Sequence, residues 1–464
     1  MKKSAYHSSK YPLTNPSTNM SALLLNKNQR MKKLILVIVS LVIFGSWSGE
    51  TIKQQFITTD IDNYWIAYEK IISTKDSALQ YKYLREFYLD KATEGLKRII
   101  QVKNYSEKNF IDGINNYPKF WKSIKPNTLK AGEHFAEIEK DIQKLKQLYP
   151  DLKPSPVYFF IGAFRSGGMI SENNVLISCE LSLADKSTIT DELPEWRQPF
   201  YKEYNPIEGL SLLCTHEYVH TQQKELVQNL LSMCMYEGVA EFISCKATGE
   251  KSDCPAIEFG KANAEIVLQQ FVSDLYIMSN DYNWLYGQNR NDLKVRDLGY
   301  YIGYEICERY YNLSADKSKA IKELIELDYT NEKEVERIID KTNFLPKKLE
   351  ELNSDYEKQR PTVTGIAQFK NGSKKIKPGL TRITVTFSKP LNKNNTGIDF
   401  GPLGENFCPQ IKQQENGWSE DGKSWTFEAD LKPNQRYQIL ISNNFRMEDG
   451  VRLKPYLIDI TTTK

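Results

Sequence analysis

The hydrophobic rhythm of the chain changes several times along its length. From about residue 51 to 150, apolar residues recur at helical spacing. Ile61, Trp65, Tyr68 and Ile72 share one helical face, with Thr59 or Asp60 placed to cap it. Phe135, Ile138, Ile142 and Leu145 repeat the pattern until Pro150 ends it. At Val157 the texture turns to β: Val157–Gly162 is one apolar run and Asn174–Ser178 another. Gly167-Gly168 marks a turn between them, which predicts a hairpin or two adjacent strands. A helical stretch follows from about Pro206 to about Leu327. Beyond Gln359-Arg360-Pro361 the period drops to two. Ile383, Val385 and Phe387 alternate with polar residues, as do Trp425, Phe427 and Ala429, then Tyr437, Ile439 and Ile441. Lys432-Pro433-Asn434 and Asp449-Gly450 supply turns. Short alternating strands over about a hundred residues read as a β-sandwich.

A length of 464 residues exceeds one ordinary domain. The pattern divides it as an α+β multidomain chain. A mostly helical domain with a small antiparallel sheet occupies 51–355, with a helical part at 51–150 and a core part at 155–330. An all-β sandwich occupies 362–464. The N-terminus adds a targeting signal. Lys32 and Lys33 precede an apolar Leu34–Phe44 segment, and Ser46-Trp47-Ser48 offers small residues for cleavage. Residues 31–48 therefore read as a signal peptide and 1–30 as a non-native or disordered leader, with Met31 as the start. The alternative is a short membrane anchor, but the apolar run is short for a bilayer. The expectation is an exported protein: periplasmic, at the cell surface or secreted.

Net charge is +3, with no basic block interleaved with aromatics, so nothing points to nucleic acid. Seven cysteines leave at least one unpaired. Cys245 and Cys254 flank a polar loop that a disulfide would close, while Cys214, Cys234 and Cys307 read as buried hydrophobes on helices.

Only four histidines occur, and two of them, His216 and His220, fall within one HEYVH pentapeptide. The other two are His7 and His134, the latter a surface position. Residues four apart share a helical face, so both imidazoles reach one ion. Glu217, one position along, is set to reach a water on that ion rather than the ion itself. Zinc wants a third protein ligand and an open position. Glu237, seventeen residues after His220, allows the chain to turn and return on a second helix. Glu241, one turn later, is placed to accept from the far nitrogen of a ligating histidine. Solvated helix charges are the plain alternative for both glutamates.

HEYVH followed by EGVAEF resembles the gluzincin arrangement, that of thermolysin and its aminopeptidase relatives, with a slightly shorter gap. More narrowly, FFIGAFRSGGMIS, NVLIS, HEYVHTQQ with EGVAEF, and LGYYIGYEICERYY resemble a family of exported bacterial predicted zinc-dependent proteases. These are related to gliding-motility lipoproteins that often lack the metal motif. The resemblance implies one Zn2+ ion held by His216, His220 and Glu237, with Glu217 as general base. It also implies an oxyanion-stabilising tyrosine, with Tyr300 and Tyr304 as candidates. Helix packing is the alternative there, since Gly299 and Gly303 suggest a close crossing. The strand ending at Ser178 is implied to be an edge that pairs with substrate. Residues 362–464 resemble the Ig-like modules of bacterial surface proteins, which implies a cell-envelope partner. The expected function is a zinc metallopeptidase acting on a peptide or protein substrate. The alternative is a non-catalytic envelope, adhesion or gliding-associated protein with a structural or relict zinc site.

Overall fold

The computed structural model describes residues 53–203, 205–277, 281–286 and 293–464; the expected leader and signal peptide lie outside the described residues. No described helix is long and apolar enough to cross a membrane.

The helix Thr59–Ile72 buries Ile61, Tyr64, Trp65, Tyr68 and Ile71, while Ile72, its last residue, is exposed. Asp60 does not cap it. Its carboxylate is buried and accepts the Thr93 backbone N–H at 3.0 Å, while Thr93 caps the helix Glu94–Val102. Phe135 stacks on Phe56 with ring centroids 4.2 Å apart, closing the helices over a sheet.

That sheet is mixed rather than antiparallel. Its strands are β1 (Phe56–Ile57), β2 (Val157–Phe160), β3 (Gly168–Ser171) and β4 (Asn174–Ser178), in the order β1-β2-β4-β3. β1 with β2, and β2 with β4, run parallel; only β3 is antiparallel, to β4. Parallel neighbours need a crossover, and here the chain makes it through β3. Gly168 therefore opens a strand where the pattern suggested only a turn. The consequence for the cleft is direct: the strand ending at Ser178 is internal, and β3 is the edge.

Four helices build the middle of the helical part: α1 (Phe135–Leu148), α2 (Leu210–His220), α3 (Leu230–Thr248) and α4 (Leu298–Leu313). α2 and α3 are buried nearly all round, the signature of helices at the centre of a domain. α3 has sharp ends. The Asn229 side chain accepts from Ser232 N–H, and Gly249 takes the left-handed conformation (φ +85°) that ends the helix. α2 is tied sideways, with the Tyr218 hydroxyl accepting the Ser155 N–H at 2.8 Å and Ser211 donating to buried Asp141 of α1 at 2.7 Å. α3 and α4 cross with their backbones in contact. A Cβ at Gly238 would lie 2.1 Å from the Gly303 carbonyl carbon, and one at Gly303 would lie 1.8 Å from Cys234 O.

Residues 363–461 form two antiparallel sheets. One is built from β5 (Val363–Ile366), β6 (Gly379–Phe387), β8 (Gln410–Trp418) and β9 (Ser424–Leu431), in the order β5-β6-β9-β8. The other is built from β7 (Ile398–Phe400), β10 (Arg436–Ile441) and β11 (Tyr456–Thr461), in the order β11-β10-β7. Ile383, Val385, Phe427, Ile439, Ile441 and Ile458 share one core drawn from both sheets. The alternating positions picked out by the pattern are the buried ones. All seven cysteines are unpaired, so Cys245 and Cys254 do not close the loop between them.

Candidate metal centre

α2 delivers His216 and His220 one turn apart, and α3 crosses it with Glu237 pointing back. Each of the three offers one donor atom within 4.8 Å of the others, and all three residues are buried. The two imidazole Nε2 atoms lie 3.0 Å apart. Glu237 Oε2 is 3.3 Å from His220 Nε2 and 3.5 Å from His216 Nε2.

The remaining ring nitrogens fix the tautomers. His216 Nδ1 lies 2.9 Å from Glu241 Oε2, and His220 Nδ1 lies 2.6 Å from Gln223 Oε1. The Gln223 amide is oriented by its donation to Tyr236 O at 2.9 Å, so its oxygen faces the ring. Both Nδ1 atoms therefore carry hydrogens, and both Nε2 atoms turn inward toward a carboxylate oxygen. Three electron-rich atoms at this separation need a positive charge among them. Burial disfavours a charged His216, yet the carboxylates of Glu237 and Glu241 overcome it and hold this imidazole well above its ordinary pKa. Burial likewise opposes ionisation of Glu237, but the two histidines hold its carboxyl well below the usual range.

The same positive charge fits a metal ion. Zinc bound tetrahedrally at about 2.0–2.1 Å sets its ligand atoms about 3.3 Å apart, and the three observed separations bracket that value. Two imidazoles and one carboxylate are donors that zinc accepts, and no fourth protein donor joins the cluster among the described residues.

Glu217 is buried beside the cluster. Burial pushes its carboxyl above the usual range, against the pull of His220 and His216. Its carboxylate lies against the edge strand: a Cβ on Gly168 would come within 2.7 Å of Glu217 Oε1. Tyr300 reaches the site. Its ring stacks on His216 at 6.2 Å between centroids, and burial together with the neighbouring Glu237 carboxylate raises its phenol pKa. Tyr304 does not join it. One turn further along α4, its ring meets Phe242 edge-on at 5.6 Å beneath the Lys261 ammonium at 4.8 Å. Residues i and i+4 are displaced along the helix axis by a full turn, so only the first of the pair faces the histidines. His134 lies at the start of α1, outside the cluster.

Three contacts were not foreseen in the sequence. Gln223 follows His220 by three positions, a spacing that places side chains together at a helix end, and that signal was available. Tyr236 stacks on His220 at 4.4 Å; it directly precedes Glu237, so its place in the chain was a hint. Tyr286, whose hydroxyl donates to Glu237 Oε1, comes from a loop between helices and carried no local signal.

The fold and donor set define a candidate metal site on an HExxH helix, with its third donor on a second helix. Consistent with that class, residues 198–331 match the model of a family described as "Predicted Zn-dependent protease (DUF2268)". The match spans α2, α3 and α4. A search of curated proteins finds no match. Among solved structures, the S-layer protein rSbsC aligns at 12% identity with a TM-score of 0.17, covering 88% of this chain and 45% of that one. The chain thus spans less than half of that protein, and a likeness so slight carries no argument about fold.

Proposed function

We propose that this protein is an exported zinc-dependent metallopeptidase, with one ion held by His216, His220 and Glu237. The observation that carries the reading is the convergence of two Nε2 atoms and one carboxylate oxygen beside the buried carboxyl of Glu217. A zinc ion bound there supplies a Lewis acid for the scissile carbonyl and lowers the pKa of water toward neutrality. Glu217, with its carboxyl raised by burial, takes a proton at the metal face and returns it to the leaving amine. Glu241 and Gln223 hold the imidazoles in the tautomer that presents Nε2. Tyr300, stacked on His216, is the tyrosine placed to donate to a developing oxyanion. β3, as the free edge beside Glu217, offers backbone pairing to an extended peptide. The C-terminal strand order supports reading 362–464 as an Ig-like module, four strands on one sheet and three on the other, which holds an envelope partner.

Zinc content of purified wild type, Glu237→Ala and Glu241→Ala tests the ligand set. The expected pattern is about one ion in wild type, none in Glu237→Ala, and affinity weakened about 10–100-fold in Glu241→Ala. Glu217→Gln is expected to keep its zinc and lose about 10²–10⁴-fold in peptide cleavage. Wild type that takes up no zinc when supplied with it sinks the proposal. A Glu217→Gln enzyme as active as wild type removes the general base.

A further inference from the structure

The Glu237 carboxylate is shared between two tasks. Oε2 faces the two histidine Nε2 atoms at 3.3 and 3.5 Å, while Oε1 accepts the hydroxyl of Tyr286. Nothing in the HExxH pattern calls for this tyrosine. It lies forty-nine residues beyond Glu237 in sequence and is half exposed.

Its placement is built rather than incidental. The preceding Leu285 is fully buried and lies against Gly299 of α4, where a Cβ would come within 2.7 Å of the leucine side chain. The Tyr286 backbone sits in the left-handed region at φ +62°, which a tyrosine adopts only when its surroundings fix it. Its N–H donates at 2.9 Å to Oδ1 of Asp297, the residue just before α4, itself at φ +60°. Two residues in unfavourable backbone conformations and a buried leucine anchor thus hold one ring over one carboxylate oxygen.

We infer that Tyr286 is a positioning residue for the metal centre: by occupying Oε1 it restricts Glu237 to offering a single oxygen. This rests on the zinc reading above and deepens it. A carboxylate with both oxygens free can chelate an ion in bidentate fashion and fill the position that a substrate needs. Such chelation also suits calcium, which takes six to eight oxygens. A carboxylate pinned at one oxygen leaves a three-donor site with room for substrate, the arrangement expected of a catalytic rather than a structural zinc.

The experiment compares wild type, Tyr286→Phe and Glu237→Ala as full-length protein. Zinc affinity is read by chelator competition, and the cobalt(II) form of each is read by its visible absorption, whose intensity falls as coordination rises from four to five. The melting of the metal-free proteins serves as a control for folding. Tyr286→Phe keeps the ring and the backbone and removes only the hydroxyl. The expected result is zinc binding weakened about 10–100-fold, weaker cobalt absorption, and unchanged metal-free melting. Unchanged affinity and spectrum in Tyr286→Phe overturn the inference and leave the centre standing. So does weaker zinc binding with an unchanged cobalt spectrum. A wild type that binds neither metal fails at the earlier step, and the zinc reading falls together with this one.

Discussion

At the residue scale, the site is governed by what each imidazole does with its outer nitrogen. Glu241 and Gln223 take the two Nδ1 hydrogens, and that alone turns both Nε2 atoms toward Glu237. The donor set was legible because its geometry is set by local helical spacing: His216 and His220 at i and i+4, then Glu237 and Glu241 at i and i+4. Tyr286 was not legible, because a contact made across a loop is set by tertiary packing and leaves no periodic trace. Gly168 was legible only as a turn. Its role comes from what lies above it, since a Cβ would come within 2.7 Å of Glu217 Oε1. Gly168→Ala is therefore expected to displace the Glu217 carboxylate while leaving the three metal donors in place. Misplacement of a catalytic group by about an ångström costs about 10²-fold in rate. Steady-state kinetics beside zinc analysis should show that fall in kcat at full zinc content. Unchanged kcat would mean the strand yields instead.

At the element scale, the centre depends on two helix crossings. α2 brings the histidines, and α3 brings Glu237 only because α4 lets it approach. Gly238 and Gly303 face each other there with no side chain between them. The pattern Gly299-x-x-x-Gly303 announced a close crossing; its partner, the glycine directly after the third donor, emerged only in the structure. Gly303→Ala would drive a methyl into Cys234 O, which neither backbone can avoid. Overpacking of this kind costs about 1–3 kcal/mol, and here it also shifts the helix carrying Glu237. Denaturant unfolding of the metal-free protein should show the loss, accompanied by weaker zinc binding. The sheet illustrates the opposite limit of sequence reading. Apolar runs at 157–162 and 174–178 revealed strands, but not their direction. A parallel pair and a hairpin share one hydrophobic pattern, and the connection decides between them.

At the scale of the whole molecule, the helical part and the sandwich meet at a polar joint. Glu357, on the last helix, accepts from Arg360 Nη1 at 2.6 Å and pairs with Lys454 Nζ at 3.2 Å, while Arg360 also donates to Leu453 O at 2.7 Å. The Arg360 hydrogen bond, assisted by Lys454, outweighs the effect of burial and lowers the Glu357 carboxyl below its usual range. A carboxyl with a depressed folded pKa stabilises the fold above its unfolded value of 4.5 and loses that contribution as pH falls through the folded value. The pair is largely solvent-screened, so the effect is a few tenths of a kcal/mol. Melting curves of wild type and Glu357→Gln should differ slightly near neutral pH and converge below about pH 4. Equal melting temperatures at pH 7 would remove the joint's contribution.

The seven cysteines have a consequence for how the chain comes to be. Each is a free thiol, and Cys179, Cys214, Cys234, Cys245 and Cys307 are buried in the helical part around the centre. No disulfide joins the described residues, and their order comes from packing. An oxidant met while the chain assembles finds five of the thiols enclosed once the helices pack, and only Cys254 and Cys408 partly open to it.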